Sequence, residues 1–159
     1  MEKATIAVNG ELLGIARRSK PREPMETANE VLVTVEAGVE GDCRGSVPDR
    51  QVTVISADSW RDACHDLGME IPWTKRRANL VLGGIDLRDT EGSLISIGDV
   101  LLEIVEENPP CRVMDIQQDG LRQALKPDWR AGVNCRVRTG GKIKVGDAVR
   151  LRKIGRAHV

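Results

Sequence analysis

Short β-rich runs, each cut off by glycine or proline within a few residues, leave this chain little room for long helices. It has 16 glycines and 7 prolines in 159 residues. Gly and Pro punctuate strands because one supplies positive φ and the other cannot donate to a ladder. Many short strands with glycine corners predict a mainly β fold, a closed or nearly closed barrel with a few small peripheral helices. Its core must be aliphatic, since aromatics are only 2%, namely three tryptophans with no Phe or Tyr.

Residues 5–8 and 11–16, separated by Asn9-Gly10, are expected to form a hairpin on a tight primed turn. Further strands are expected over residues 30–36, 51–55, 78–82 and 94–105, the last bent at Gly98-Asp99. Residues 132–137 and 142–151, joined by Thr139-Gly140-Gly141, are expected to make a closing hairpin. One helix is predicted over 57–67: Trp60, Ala63, Cys64 and Leu67 fall on one face, Ser56 caps it and Gly68 stops it. That pattern gives Cys64 a packing role. Residues 19–27, with Pro21 and Pro24, are expected to be a surface loop.

The length suits one compact domain, expected over residues 1–153. The ending Ile154-Gly155-Arg156-Ala157-His158-Val159 reads like a translated sequencing adapter and is taken as a non-native tail. With Lys+Arg 24 against Asp+Glu 24, no global field draws the chain to nucleic acid or to an anionic membrane. No apolar run approaches the roughly 20 residues of a membrane span, and the expected compartment is cytoplasmic. Cys43, Cys64, Cys111 and Cys135 lie too far apart for a CxxC zinc, iron–sulfur or dithiol site. Outside the tail, His65 is the lone histidine, which argues against a Ser-His-Asp triad or a multi-histidine metal centre.

Cys111 follows Glu107-Asn108-Pro109-Pro110 and precedes Arg112. Two prolines end any strand before them, so the thiol sits at a strand exit. If residues 112–125 open as a helix, its dipole and the Arg112 guanidinium both favour thiolate. Two readings follow: a presented reactive thiol, or a small buried core residue.

Several weak motifs occur in a telling order: Gly38-Val39-Glu40-Gly41-Asp42, Arg50-Gln51-Val52-Thr53-Val54, Arg76-Arg77-Ala78-Asn79-Leu80-Val81 and Gly84-Ile85-Asp86-Leu87. Ile97-Gly98-Asp99, Pro110-Cys111, Gly120-Leu121, Arg130-Ala131-Gly132-Val133 and Gly140-Gly141-Lys142-Ile143-Lys144-Val145-Gly146-Asp147 follow. Together, over about residues 30–151, they resemble the MOSC domain, the C-terminal domain of molybdenum cofactor sulfurases, which also occurs as short stand-alone bacterial proteins.

The resemblance implies a β-barrel of the MOSC and pyruvate-kinase-barrel type, with a cleft for the molybdenum cofactor (molybdopterin) near Cys111. It implies that Cys111 is either a thiolate ligand of molybdenum or a carrier of persulfide sulfur. A phosphate-bearing pterin needs guanidinium forks and amides, and Arg44, Arg50, Arg77, Asn79, Arg112, Arg130 and Asn134 lie in or beside the motifs. On strand parity Arg77 and Asn79 face one side and Arg76 the other, and Asp42 is an alternative turn-former at the Gly41 corner. Many relatives follow the Gly-Asp pair with a basic residue and a histidine; here Cys43-Arg44-Gly45 stands there, which puts a histidine-dependent step in doubt.

Three functions follow. The first is a molybdenum cofactor-dependent oxidoreductase acting on an N-hydroxylated or related N-oxygenated small-molecule substrate. The second is a sulfur carrier in cofactor maturation, and the third a non-catalytic barrel binding a small ligand or partner. The chain lacks an aminotransferase-like sulfurase portion and a ferredoxin-type cysteine cluster, so an enzyme of this kind depends on a separate electron donor or sulfur donor protein.

Overall fold

A computed structural model describes residues 5–154 and is mainly β. In chain order the strands are β1 (Thr5–Arg17), β2 (Glu26–Ala28), β3 (Glu30–Thr34), β4 (Gly38–Val39), β5 (Val52–Ser56) and β6 (Leu80–Gly83). They continue with β7 (Leu94–Ile97), β8 (Val100–Glu107), β9 (Val133–Thr139), β10 (Gly141–Lys144) and β11 (Ala148–Ile154). The helices are α1 (Ala57–Leu67), α2 (Val113–Gln117) and α3 (Leu121–Ala124). The expected tail beyond Ile154 lies outside the described residues. No helix among the described residues is long and apolar enough to cross a membrane.

Strands β11, β7, β8, β9, β5, β6 and β1 follow one another around a ring, and the β1–β11 pairing closes it. Neighbours in the ring are antiparallel except β5 and β6, whose parallel pairing is reached through a crossover that contains α1. Alternation along each strand sends one set of side chains inward and the other outward. Val54, Leu80, Leu82, Ile104, Val133 and Cys135 fill the interior, while Ile55 and Val81 face outward under Trp60, Met114 and Leu121. Burial among aliphatic neighbours pushes the Cys135 thiol well above the usual range, which makes it a core residue.

α1 follows its local signals. The Ser56 hydroxyl accepts from Ser59 N at 3.4 Å, and Gly68 ends the helix at φ 68. Cys64 packs half-buried against the outer cluster, its Sγ 3.8 Å from the Ile71 carbonyl oxygen.

Four local expectations give way to long-range pairing. Asn9-Gly10 makes no turn: β1 runs through it, pairing with β11 from Thr5 to Glu11 and with β6 from Glu11 to Ile15. Gly10 serves close approach instead, since an added Cβ would run into the Gly83 carbonyl oxygen and lie 2.7 Å from Ile85 Cγ1. The stretch 94–105 is not one bent strand but the hairpin β7–β8. β9 and β10 form no hairpin, because β5 and β8 already occupy both edges of β9; β10 pairs with β3 in a small second sheet. Finally, residues 112–125 split into α2 and α3, separated by Gly120 at φ 85.

Gly10→Val is expected to cost about 1–3 kcal/mol of stability by overpacking the β1–β6 contact. Denaturant unfolding checks this, and a change within the ~0.5 kcal/mol typical of surface substitutions would contradict the described packing.

Candidate functional site

After β8 ends at Glu107, Pro109 and Pro110 lead the chain away from the sheet, and Cys111 is solvent-exposed. The exposure excludes the buried-core reading of this thiol. α2 follows at once, anchored by the buried Met114, whose backbone N donates to the Cys111 carbonyl at 3.0 Å.

Cys111 borders a cleft of about 440 Å³, within the size range of small-molecule sites. Its wall gathers distant stretches: Arg18 and Pro21 after β1, Asp42, Arg44 and Arg50 from the loop before β5, and Thr53 from β5. Arg76, Arg77 and Asn79 come from the approach to β6, and Asn108, Pro109, Val113 and Met114 from the thiol's own segment. Five arginines against one aspartate make the cleft strongly positive.

Each polar group has a traceable position. Asp42 organises its corner: Oδ1 accepts from Arg18 N at 3.1 Å and Oδ2 from Arg44 N at 3.2 Å. The Asn79 Oδ1 accepts from Thr53 N at 3.0 Å and from Thr53 Oγ1 at 3.2 Å, while its Nδ2 donates to Ala16 O at 3.2 Å. Arg77 adopts φ 66 and ties down the loop after β1, its Nη2 donating to Pro21 O at 2.9 Å and Glu23 O at 2.7 Å. Burial lowers the Arg77 pKa, and the neighbouring Arg18 and Arg44 charges lower it further, against an opposing effect of Cys43.

Arg76 is the deepest of the set. Its Nε donates to Ala131 O at 2.7 Å and its Nη2 to Asn108 O at 2.9 Å, which fixes the segment carrying Cys111. Burial brings its pKa down to about 10, partly offset by the charge of a Cys111 thiolate. Parity had set Arg76 opposite Arg77, but residues 73–76 form a 3-10 turn and Arg77 is left-handed, so strand alternation does not apply there.

Of the residues expected from sequence, Arg44, Arg50, Arg77 and Asn79 share the cleft with Cys111. Three others do not line it. Arg112 is exposed at the start of α2 and is absent from the wall. Arg130 pairs with Asp66 at 2.6 Å and donates to Ala124 O, beside a separate cavity near the start of α1. Asn134 is buried on β9, directly across from Thr53, and its Nδ2 has no partner among the described residues. His65 is exposed on α1.

Sequence reasoning missed Arg18. It is 8% exposed, and its Nε has no hydrogen-bond partner among the described residues. A faint signal was present: Gly14, Ala16 and Arg18 alternate after the bulge in β1 and all are buried, where an arginine is out of place.

The family model for the MOSC domain matches residues 40–150. No curated protein matches the chain. Among solved structures it is similar to the YuaD protein from Bacillus subtilis, at TM-score 0.77 and 18% identity over 96% of this chain and 99% of that one. It is also similar to YiiM from Escherichia coli, at TM-score 0.66 and 16% identity over 94% of this chain and 71% of that one. YiiM from Geobacillus stearothermophilus gives TM-score 0.64 and 18% identity over 89% and 72%. At these identities the likeness concerns the fold.

Arg76→Met is expected to destabilise the protein by about 2–4 kcal/mol, because it strips donors from the Ala131 and Asn108 carbonyls. Thermal unfolding is the check: an unchanged midpoint would show that neither hydrogen bond anchors the Cys111 segment.

Proposed function

The chain belongs to the MOSC domain family, which is generally linked to molybdenum cofactor binding, and from that premise we propose that its Cys111 cleft holds this cofactor and reduces N-hydroxylated or related N-oxygenated small molecules. One observation carries the reading: an exposed thiol borders the same cleft as five arginines.

The donor set fits the group. A phosphate-bearing pterin calls for guanidinium forks and amides, and the buried Arg18 Nε is a donor still without a partner. A soft thiolate suits a high-valent metal, so Cys111 Sγ is the ligand in this reading. Held there, the cofactor would supply two-electron redox chemistry through a metal that shuttles between two oxidation states. The protein's own residues do the rest. Arg44, Arg50 and Arg18 hold anionic groups, while Arg76, through the Asn108 carbonyl, fixes the segment that presents the thiol. Electrons come from a separate donor protein, since the described residues contain no cluster of cysteine, histidine or acidic ligands for a further metal centre.

After expression in a cofactor-competent host, the wild type is expected to retain molybdenum and pterin. Cys111→Ser should fold normally, because the side chain is exposed, yet lose the metal and any N-reduction. Cys64→Ser should lose about 1 kcal/mol of stability while the folded fraction keeps the metal. Metal content and thermal midpoint of both variants are the readouts. A Cys111→Ser protein that still holds molybdenum and turns over substrate removes the proposal, and wild type bearing one extra sulfur on Cys111 without metal replaces it with sulfur carriage.

A further inference from the structure

We infer that Arg18 is the buried anion-binding residue of the Cys111 cleft, taking the phosphate of a phosphomonoester. This deepens the cofactor reading by naming the residue and the chemical group at that subsite. It draws on a stretch outside the residues that the family model matches.

A guanidinium removed from water needs an acceptor, and an unpaired buried charge is strongly unfavourable. Arg18 is 8% exposed at the cleft wall, yet no carboxylate among the described residues lies within ion-pair distance of it. Its Nε has no partner, and Nη1 reaches only Met25 Sδ at 3.4 Å, a weak acceptor. The carboxylate in the cleft, Asp42, already accepts from the backbone N–H groups of Arg18 and Arg44.

Its neighbours do not share this state. Arg76 and Arg77 each donate to two backbone carbonyls, whereas the Arg18 guanidinium donates to none among the described residues. The Arg18 and Arg44 charges both lower the Arg77 pKa, which places the three guanidiniums close enough to repel. A tetrahedral oxyanion supplies what is lacking, because adjacent Nε–H and Nη–H groups form a fork that matches two phosphate oxygens. The phosphate has two possible sources, the cofactor's own ester or a separate phosphorylated small molecule.

The test uses the ligand-free full chain and inorganic phosphate, with sodium chloride at matched ionic strength as control. Phosphate should raise the wild-type thermal midpoint by about 2–4 °C or more near saturation. Arg18→Met should abolish that rise while melting, without phosphate, at or above the wild type, since it removes a buried uncompensated charge. Arg18→Lys should restore part of the response.

A flat wild-type response overturns the assignment. So does an Arg18→Met protein that is destabilised or unfolded without phosphate, or one that keeps the full phosphate response. In protein already carrying the cofactor, a lost response identifies the cofactor's phosphate as the occupant, and a persisting Arg18-dependent response identifies a separate phosphorylated molecule; both support the subsite. Cys111→Ser should keep the phosphate response. If Cys111→Ser loses molybdenum while Arg18→Met still responds to phosphate, this inference fails and the cofactor reading stands. An Arg18-dependent response in a protein that never holds molybdenum is the reverse.

Discussion

Asn79 is where the barrel becomes a site. Its backbone N donates to Thr53 O and its carbonyl accepts from Ala16 N, while its side-chain amide bonds Thr53 again and reaches the Ala16 carbonyl. One residue thus ties β1 to β5 just ahead of β6, and buried hydrogen bonds of this kind are costly to leave half made. Arg18 leaves β1 two residues beyond Ala16, and Arg76 and Arg77 precede Asn79, so the clamp fixes the points from which these arginines extend. Asn79 lines the cleft, yet its amide is engaged with the protein itself.

The charge of the cleft follows from that scaffold. Aliphatic packing fills the barrel interior and leaves its outer face, around Thr53 and Asn79, to polar side chains. Arginine tolerates partial burial there because its planar fork can satisfy carbonyls that strand ends leave open, as Arg76 does for Ala131 and Asn108. Arg18 has found no such acceptor, and it thereby marks where the fold alone does not complete itself.

What was legible in the sequence was local or cumulative. The helix at 57–67 carried its own cap, stripe and stop, and residue chemistry over one helical turn suffices for those. The mainly β, barrel-forming character followed from many glycine-broken runs taken together. Partner choice was not legible. Asn9-Gly10 has the composition of a turn, but β11 and β6 offered β1 edges that a local hairpin would have left open. Gly140-Gly141 likewise turns the chain toward β3, a choice that depends on the occupied edges of β9. At the site, Cys111 stood out because two prolines forbid a continuing strand. Arg76 was misassigned because a single left-handed residue after a 3-10 turn resets parity, and Arg130 and Arg112 were drawn away by Asp66 and by solvent.

The thiol's own segment has a texture unlike the rest of the wall. Around Cys111 the cleft is bordered by Pro109, Val113 and Met114, all uncharged, whereas the guanidiniums arrive from residues 18, 44, 50, 76 and 77. Val113 is 37% exposed and Ile116, one turn along α2, is 76% exposed, so the apolar character continues onto the surface beside the thiol. Behind this apolar rim lies a charge, since Arg76 Nη1 is 3.7 Å from Met114 Sδ. The thiol therefore stands at a border, with an uncharged, partly exposed surface on its α2 side and the arginine-bearing wall on the other.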